Sequence, residues 1–337
     1  MKEIMNTSKN YTRNLYDLSA TQVAELTKVD IWKAFIAIFL IWVEVLLIIM
    51  LAELILIERY YFLYFIIVFL IAGRQGALLQ MVHEGAHMLI YKNKKINDFI
   101  SNYFCALPIG ITHLGYTKGH YMHHLHTGTE LDPPSDRDKY RETNFNSINI
   151  YKLLLKDLLG ISAIQVFISY MGNSEGGAKY QSNVFKQIIL KLLPLVLVQF
   201  VILLLLFKFD LVNYILFWIV PAVSAHMVLM RIRGIAEHGL AKQIGVEIKN
   251  SSDGNFYTRS FLTPKNQYNF SLFTILEKFF IGSQSVYFHH EHHLMPNVPF
   301  YNLKKLNEMI SDKVEKFNPN VYEKGYFSAA FRNLRLK

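Results

Sequence analysis

Long apolar runs constrain this chain more than any other feature of its sequence. Four blocks are almost wholly apolar, and they lie at residues 34–57, 60–81, 192–207 and 211–230. The hydrocarbon core of a bilayer is about 30 Å thick, and a helix of roughly 20 apolar residues crosses it. The composition agrees, since 52% of the 337 residues are hydrophobic and only 18% are charged. The sequence therefore predicts an all-α integral membrane protein with four spans.

The order of the apolar blocks indicates two transmembrane helical hairpins. Glu58 and Arg59 separate the first two blocks, while Lys208 and Asp210 mark the bend between the last two. Lys and Arg near membrane segments accumulate on the cytoplasmic side. Of the 35 Lys and Arg residues, only Arg59 and Lys208 lie at the hairpin tips. We therefore expect a multi-pass protein with both termini in the cytoplasm, at the plasma membrane in a bacterium or the endoplasmic reticulum in a eukaryote.

The polar segments show no repeat or low-complexity tract that would divide them. We expect a cytoplasmic appendage at residues 1–30, which lack the apolar core of a signal peptide, and one membrane domain at residues 31–337. In this domain a cytoplasmic helical cap covers the two hairpins. Apolar residues at helical spacing between residues 151 and 170 predict a helix that lies on the membrane surface.

Eight histidines fall in three short boxes, all of them outside the four apolar blocks. They are His83 and His87, then His120, His123 and His124, and finally His289, His292 and His293. Residues at i, i+3 and i+4 share one face of a helix. Imidazoles crowded in this way repel one another when protonated, so near neutral pH they favour sharing a metal cation. The boxes therefore predict a cytoplasmic metal site.

The number and type of ligands indicate which metal this is. Eight imidazoles exceed the four ligands of a tetrahedral zinc, and the single cysteine, Cys105, offers no thiolate cluster. Two metal ions are therefore expected. Imidazole suits iron, which has the redox chemistry that zinc lacks. We expect a di-iron site held in the helical cap.

The three boxes, written HxxxH, HxxHH and HxxHH, resemble those of the membrane fatty-acid desaturase and hydroxylase superfamily. The flanking residues are similar too, with Asp132-Pro133 after the second box and Leu294-Met295-Pro296 after the third. The resemblance covers about residues 70 to 310 and implies a ninth ligand, His238. This chain has Gly234 where acyl-CoA desaturases of the family have an asparagine that holds a metal-bound water.

Carboxylates beside the histidines are candidates for orienting them. Such groups accept a hydrogen bond from the ring nitrogen that faces away from the metal. The candidates are Glu84, Asp132, Glu237 and Glu291. The remaining histidines, His113, His126, His226 and His290, are assigned supporting roles. His290 in particular should point away from the metals, because adjacent helical residues diverge by about 100°.

The resemblance implies an O2-dependent desaturase with two Fe ions that introduces a double bond into the acyl chain of a lipid. No heme-binding His-Pro-Gly-Gly element is found in these 337 residues, so we expect no fused cytochrome b5 and a separate ferredoxin or cytochrome b5 as the electron donor. The net charge of +9 would attract an acidic carrier or anionic lipid, and nucleic acid is not an expected partner.

A lipid or carotenoid hydroxylase or ketolase on the same scaffold is the alternative. A metal transporter is disfavoured, because transporters place their ligands near the bilayer midplane.

Overall fold

The structure is a computed structural model, and it describes residues 13, 15–127, 129, 131–133, 148–172, 184–239, 258–261 and 271–335. These residues are helical apart from turns, bends, short irregular segments and one isolated bridge between Ser260 and Tyr322. In chain order the α-helices are α1 (Ala20–Leu26), α2 (Ile31–Ile57), α3 (Tyr64–Ala86), α4 (Lys94–Ser101), α5 (His113–His126), α6 (Ile148–Leu158), α7 (Ile161–Gly172), α8 (Val184–Phe207), α9 (Leu211–Tyr214), α10 (Val220–Val223), α11 (Ala225–His238), α12 (Leu272–Phe280), α13 (His289–Leu294), α14 (Leu303–Phe317) and α15 (Tyr326–Arg335). The prediction of an all-helical chain is confirmed for the part that the structure describes.

Among the residues that the structure describes, three stretches of helix are long and apolar enough to cross a membrane. They are Ala20–Leu56, Tyr61–Ala86 and Leu211–His238. The remaining predicted span, Leu192–Phe207, forms a shorter apolar part of α8. Three of the four predicted spans therefore coincide with helices that have the length and composition to cross a membrane. The fourth span, the helical cap and the cytoplasmic orientation stay predictions.

Helix α2 shows how an apolar block becomes a span with two different faces. It begins after Asp30, whose carboxylate accepts a hydrogen bond from the Trp32 backbone N–H at 3.0 Å. Ile41 and Val45 are buried against the rest of the molecule, whereas Phe39 is 58% exposed. Because burial and exposure alternate around one apolar helix, its exposed side suits lipid rather than water.

Two charges inside the apolar blocks pair with each other. The Arg74 Nη1 atom lies 2.6 Å from the Glu44 Oε2 atom, which joins α3 to α2. The same guanidinium donates to the Phe279 carbonyl and lies 3.5 Å from the centre of the Phe279 ring, which brings in α12. Charges within a membrane segment are costly unless they find partners in the protein. This pairing explains how both residues are accommodated.

The helix predicted on the membrane surface between residues 151 and 170 is present as two helices. Gly160 has a φ of +78°, a left-handed conformation that glycine adopts easily, and it separates α6 from α7. Leu158 and Ile164 are exposed on either side of this break. The buried Asp157 carboxylate pairs with the guanidinium of Arg231, with Arg231 Nη2 at 2.8 Å from Asp157 Oδ1. This pair fixes α6 against α11.

The described part of the N-terminal segment is packed against α14. Leu26 is fully buried in an apolar cluster with Leu306 and Ile310. At the edge of this contact, the Asn302 side chain donates to the Leu26 carbonyl at 2.9 Å. The division into an appendage and one domain stays a prediction, but residues 15–30 share a core with the C-terminal helices.

Candidate metal centre

Four helices bring the histidine boxes to one place. Helix α3 carries His83 in its last turn and ends just before His87. Helix α5 carries the second box, α11 ends at His238, and the short α13 carries the third box. Contacts between α3 and α5 place the first two boxes side by side. Each of the nine histidines predicted as ligands has a ring nitrogen within 4.8 Å of at least two other potential ligand atoms.

Five of these residues form what we call the first histidine group. Its members are His83, His87, His120, His124 and His292. One ring nitrogen from each lies within 4.8 Å of all the others. The Nε2 atom of His120 is 2.9 Å from that of His87 and 3.0 Å from that of His124. Residues far apart in the chain therefore present their nitrogens to one small volume.

The other four residues form the second histidine group. Its members are His123, His238, His289 and His293. The nitrogens of His123, His238 and His293 lie within 4.8 Å of one another. His289 joins them through His238, with 3.0 Å between their Nε2 atoms. The rings of His124 and His293 stack with their centroids 4.3 Å apart, so the two groups are immediate neighbours.

The chemistry of these rings fits metal ions. A neutral imidazole carries one proton, so two rings that meet Nε2 to Nε2 share at most one hydrogen bond. His124 meets both His120 and His292 in this way, at 3.0 and 3.1 Å. The buried Nε2 atom of His83 has no hydrogen-bond partner among the described residues. A cation in each group would satisfy these lone pairs together.

The protonation state of the rings supports the same conclusion. Burial lowers the pKa of His87 to about 3. The pKa of His292 is also well below its ordinary value, mainly because the ring is buried and in part because the ring of His87 is nearby. Rings with such low pKa values are neutral near pH 7, and a neutral ring has the lone pair that a metal requires.

The four candidate carboxylates lie in different relations to the histidines. Asp132 Oδ1 lies 3.0 Å from His123 Nδ1, the arrangement expected for an orienting carboxylate. Glu84 lies farther from His83 Nδ1, at 3.6 Å, and accepts from the Phe300 backbone N–H. Glu237 Oε2 approaches His289 at Nε2, at 3.5 Å.

Glu291 differs from the other three carboxylates. In the described part of the chain, its hydrogen bonds are to Ser260, Asn307 and Tyr322 rather than to a ligand candidate. Asn307 and Tyr322 lie 2.7 and 2.8 Å from its Oε1 atom. Glu291 therefore attaches the third box to the C-terminal segments.

Sequence reasoning missed two polar residues of this site. Gln80 Nε2 lies 3.0 Å from His83 Nδ1, and Arg233 donates through Nη1 to Gln80 Oε1 at 3.3 Å. Arg233 also holds Glu237, with Nε at 2.9 and 3.0 Å from the two carboxylate oxygens. The i, i+4 spacing of Arg233 and Glu237 was a signal for this pair. A weaker signal was the position of Gln80, which lies one helical turn before His83.

A small cavity lies at the two histidine groups, and a larger cavity shares two of its lining residues. The smaller, of about 70 Å³, is lined by both histidine groups together with Glu237 and Gly234. The larger, of about 640 Å³, extends between α3, α7, α8 and α11 and is mostly apolar. Leu79 and Met230 line both cavities. These two side chains therefore stand between the large cavity and the candidate metal centre.

The fold and this centre together define a helical membrane protein with histidine-lined candidate metal sites. A protein family model described as fatty acid desaturase matches residues 60–325. The chain therefore belongs to the fatty acid desaturase family, which confirms the resemblance of the histidine boxes and makes it a desaturase-family enzyme. It is similar to a dihydrorhizobitoxine desaturase of Bradyrhizobium elkanii, with 27% identity over 263 residues that cover 74% of this chain and 68% of that protein.

Proposed function

We propose that this protein is an O2-dependent di-iron desaturase that introduces a double bond into the acyl chain of a lipid. The observation that carries the proposal is the convergence of nine histidines into two adjacent groups beside a large apolar cavity. Two neighbouring metal sites suit a reaction that consumes O2 and two electrons. An apolar cavity suits an alkyl chain, because burying each CH2 group is worth about 0.8 kcal/mol.

The first histidine group would hold one iron and the second group the other. Bound iron would supply the oxidising power needed to remove two hydrogens from neighbouring carbons of the chain. The protein's own residues hold and orient the ligands. Asp132 keeps the outer nitrogen of His123 protonated so that the inner nitrogen has a free lone pair, and Gln80 contacts the outer nitrogen of His83.

The large cavity is the proposed site of the acyl chain. Its volume of about 640 Å³ lies within the range of pockets that enclose small molecules. Most of its lining is apolar, and Pro108, Ile111 and Trp218 belong to it. A chain that runs from this cavity toward the histidines must pass Leu79 and Met230, so these residues would set which carbons reach the metals.

Substitutions at Leu79 should change the position or the rate of desaturation. Leu79→Phe narrows the passage between the cavities and should lower the rate of desaturation of long acyl chains. The decrease should be on the order of a hundredfold if the acyl chain is displaced by about 1 Å. Leu79→Ala widens the passage and should broaden the distribution of double-bond positions. Gas chromatography of fatty-acid methyl esters from cells that express each variant measures both effects.

A lipid-facing substitution provides the control for Leu79. Leu40 is exposed on α2, away from both cavities, and Leu40→Phe should leave the product unchanged. If both Leu79 variants give the wild-type products at equal protein levels, the acyl chain does not pass this residue.

Product analysis tests the proposed reaction directly. Cells that express the chain with a ferredoxin and its reductase should gain an unsaturated acyl chain, detected by mass spectrometry of intact lipids and methyl esters. Unchanged unsaturation together with a new hydroxylated or keto lipid or pigment would instead establish the hydroxylase or ketolase alternative. Because one relative is named a dihydrorhizobitoxine desaturase, that compound belongs in the same assay as a second candidate substrate.

A separate electron carrier is part of the proposal. The net charge of +9 favours an acidic carrier such as a ferredoxin or a cytochrome b5. Electrostatic attraction of this kind weakens as salt screens the charges. Supplying each carrier in turn to the purified enzyme identifies the donor by the rate of product formation.

A further inference from the structure

The two histidine groups do not offer equal numbers of ligands. The first group presents five ring nitrogens that all lie within 4.8 Å of one another, whereas in the second group the nitrogens of His123, His238 and His293 do so and His289 joins them through His238. The second group is completed by a different kind of residue. Glu237 offers a carboxylate oxygen within 4.8 Å of the nitrogens of His238 and His289.

The side from which Glu237 approaches His289 distinguishes it from an orienting carboxylate. His289 Nε2 is the inner nitrogen, since it lies 3.0 Å from the Nε2 atom of His238. Glu237 Oε2 lies 3.5 Å from this same inner atom. Asp132 shows the opposite arrangement, because it contacts the Nδ1 atom of His123. Glu237 therefore lies on the side where the metal would bind, and Asp132 lies behind the ring.

The surroundings of Glu237 keep its carboxylate in place. Arg233 contacts both of its oxygens, at 2.9 and 3.0 Å, and neutralises its charge in a buried position. A carboxylate has about four acceptor positions, so the contacts from Arg233 and from the Tyr326 hydroxyl, 3.5 Å from Oε1, are compatible with a further contact between Oε2 and a cation. Gly234 lines the adjacent 70 Å³ cavity and contributes no side chain that could serve as a ligand. Glu237 is the nearby oxygen donor that approaches His289 at the inner nitrogen.

We propose that Glu237 is a direct ligand of the metal in the second histidine group, which would have four imidazoles and one carboxylate, while the first group has imidazoles alone. This inference rests on the proposed di-iron function. Iron accepts both ligand types. A carboxylate on one iron only would make the two sites chemically unequal. Arg233 and Gln80 would connect this carboxylate to His83 of the first group.

Iron content and Mössbauer spectra of the complete protein test the assignment. Wild-type protein, reconstituted anaerobically with ⁵⁷Fe(II) and separated from unbound iron by gel filtration, should hold two irons with two distinct quadrupole doublets. Glu237→Gln should hold one iron and lack the doublet of the second group. Asp132→Asn is the matched control, since it removes a carboxylate behind a ligand of the same group. It should keep both doublets, with affinity lowered about 10- to 100-fold.

Each outcome has a distinct meaning. Two irons with wild-type doublets in Glu237→Gln would overturn the assignment, as would loss of iron from the first group alone. If Glu237→Gln does not fold, Glu237→Asp keeps the charge opposite Arg233 but withdraws the oxygen, and its second doublet should change while the first stays. An unchanged second doublet in that variant would also overturn it. Wild-type protein that binds no iron would instead refute the di-iron function itself.

Discussion

Replacing His292 by asparagine should remove iron from the first histidine group and reduce product formation to background. His292 Nε2 lies 3.1 Å from His124 Nε2, within the group of five converging nitrogens, and asparagine is too short to reach that position. Losing a ligand should weaken iron binding by more than about a hundredfold, since even an outer partner contributes 10- to 100-fold. Iron content and product are measured on the same purified preparation.

The same substitution at His290 is the matched control. His290 is fully buried two positions away, but its Nδ1 atom lies 3.1 Å from the Thr258 hydroxyl instead of facing the metals. An asparagine amide can keep that hydrogen bond, so His290→Asn should retain both irons and most of the activity. Equal loss of iron from the two variants would contradict the division of the third box into inward and outward histidines.

The purified protein should contain two irons per chain, and activity should depend on them. Removing the metal with a chelator under reducing conditions should abolish product formation, and restoring Fe(II) without oxygen should recover it. Zinc should bind the imidazoles without supporting the reaction, because it has no redox chemistry. Metal analysis by mass spectrometry, alongside the product assay, measures both quantities.

Titration of the metal-free protein with iron also tests whether the two histidine groups are separate sites. If they are, titration of the metal-free protein with Fe(II) should saturate at two equivalents, and activity should follow the second equivalent. A protein that holds one zinc and has no affinity for iron would refute the di-iron proposal. Full activity at one equivalent would show that one group alone carries the reaction.

Much of the fold follows from local sequence patterns. Helices α2 and α3 coincide with the first two apolar blocks, because a run of about 20 apolar residues is stable as a helix in lipid and in few other conformations. The break at Gly160 was missed. Apolar spacing continues across it, and only the left-handed conformation of that glycine in the folded chain interrupts the helix.

The packing of the N-terminal segment could not be inferred from its polar composition. Residues 15–30 contribute only a few apolar side chains, among them Leu18, Val23 and Leu26. These side chains are buried because α14 presents an apolar face opposite them. The apolar face of α14 is periodic, with Leu306, Ile310 and Val314 on it, but this pattern does not say which distant segment covers the face.

The sequence by itself determined the chemical class of the site. Eight histidines in three boxes, with His238 added by resemblance, are enough to indicate a site for more than one metal. The sequence did not determine how these histidines divide. The adjacent residues His123 and His124 fall into different groups, and so do His292 and His293.

The tertiary structure decided this division and the position of Glu237. Neighbouring residues on a helix point about 100° apart, so each pair of adjacent histidines can serve two sites that lie on either side of the helix. Which site each ring reaches depends on where the other helices pack, and this depends on contacts between distant segments. For the same reason Asp132 and Glu237, alike in sequence as acidic neighbours of histidines, approach the outer nitrogen of one ring and the inner nitrogen of another.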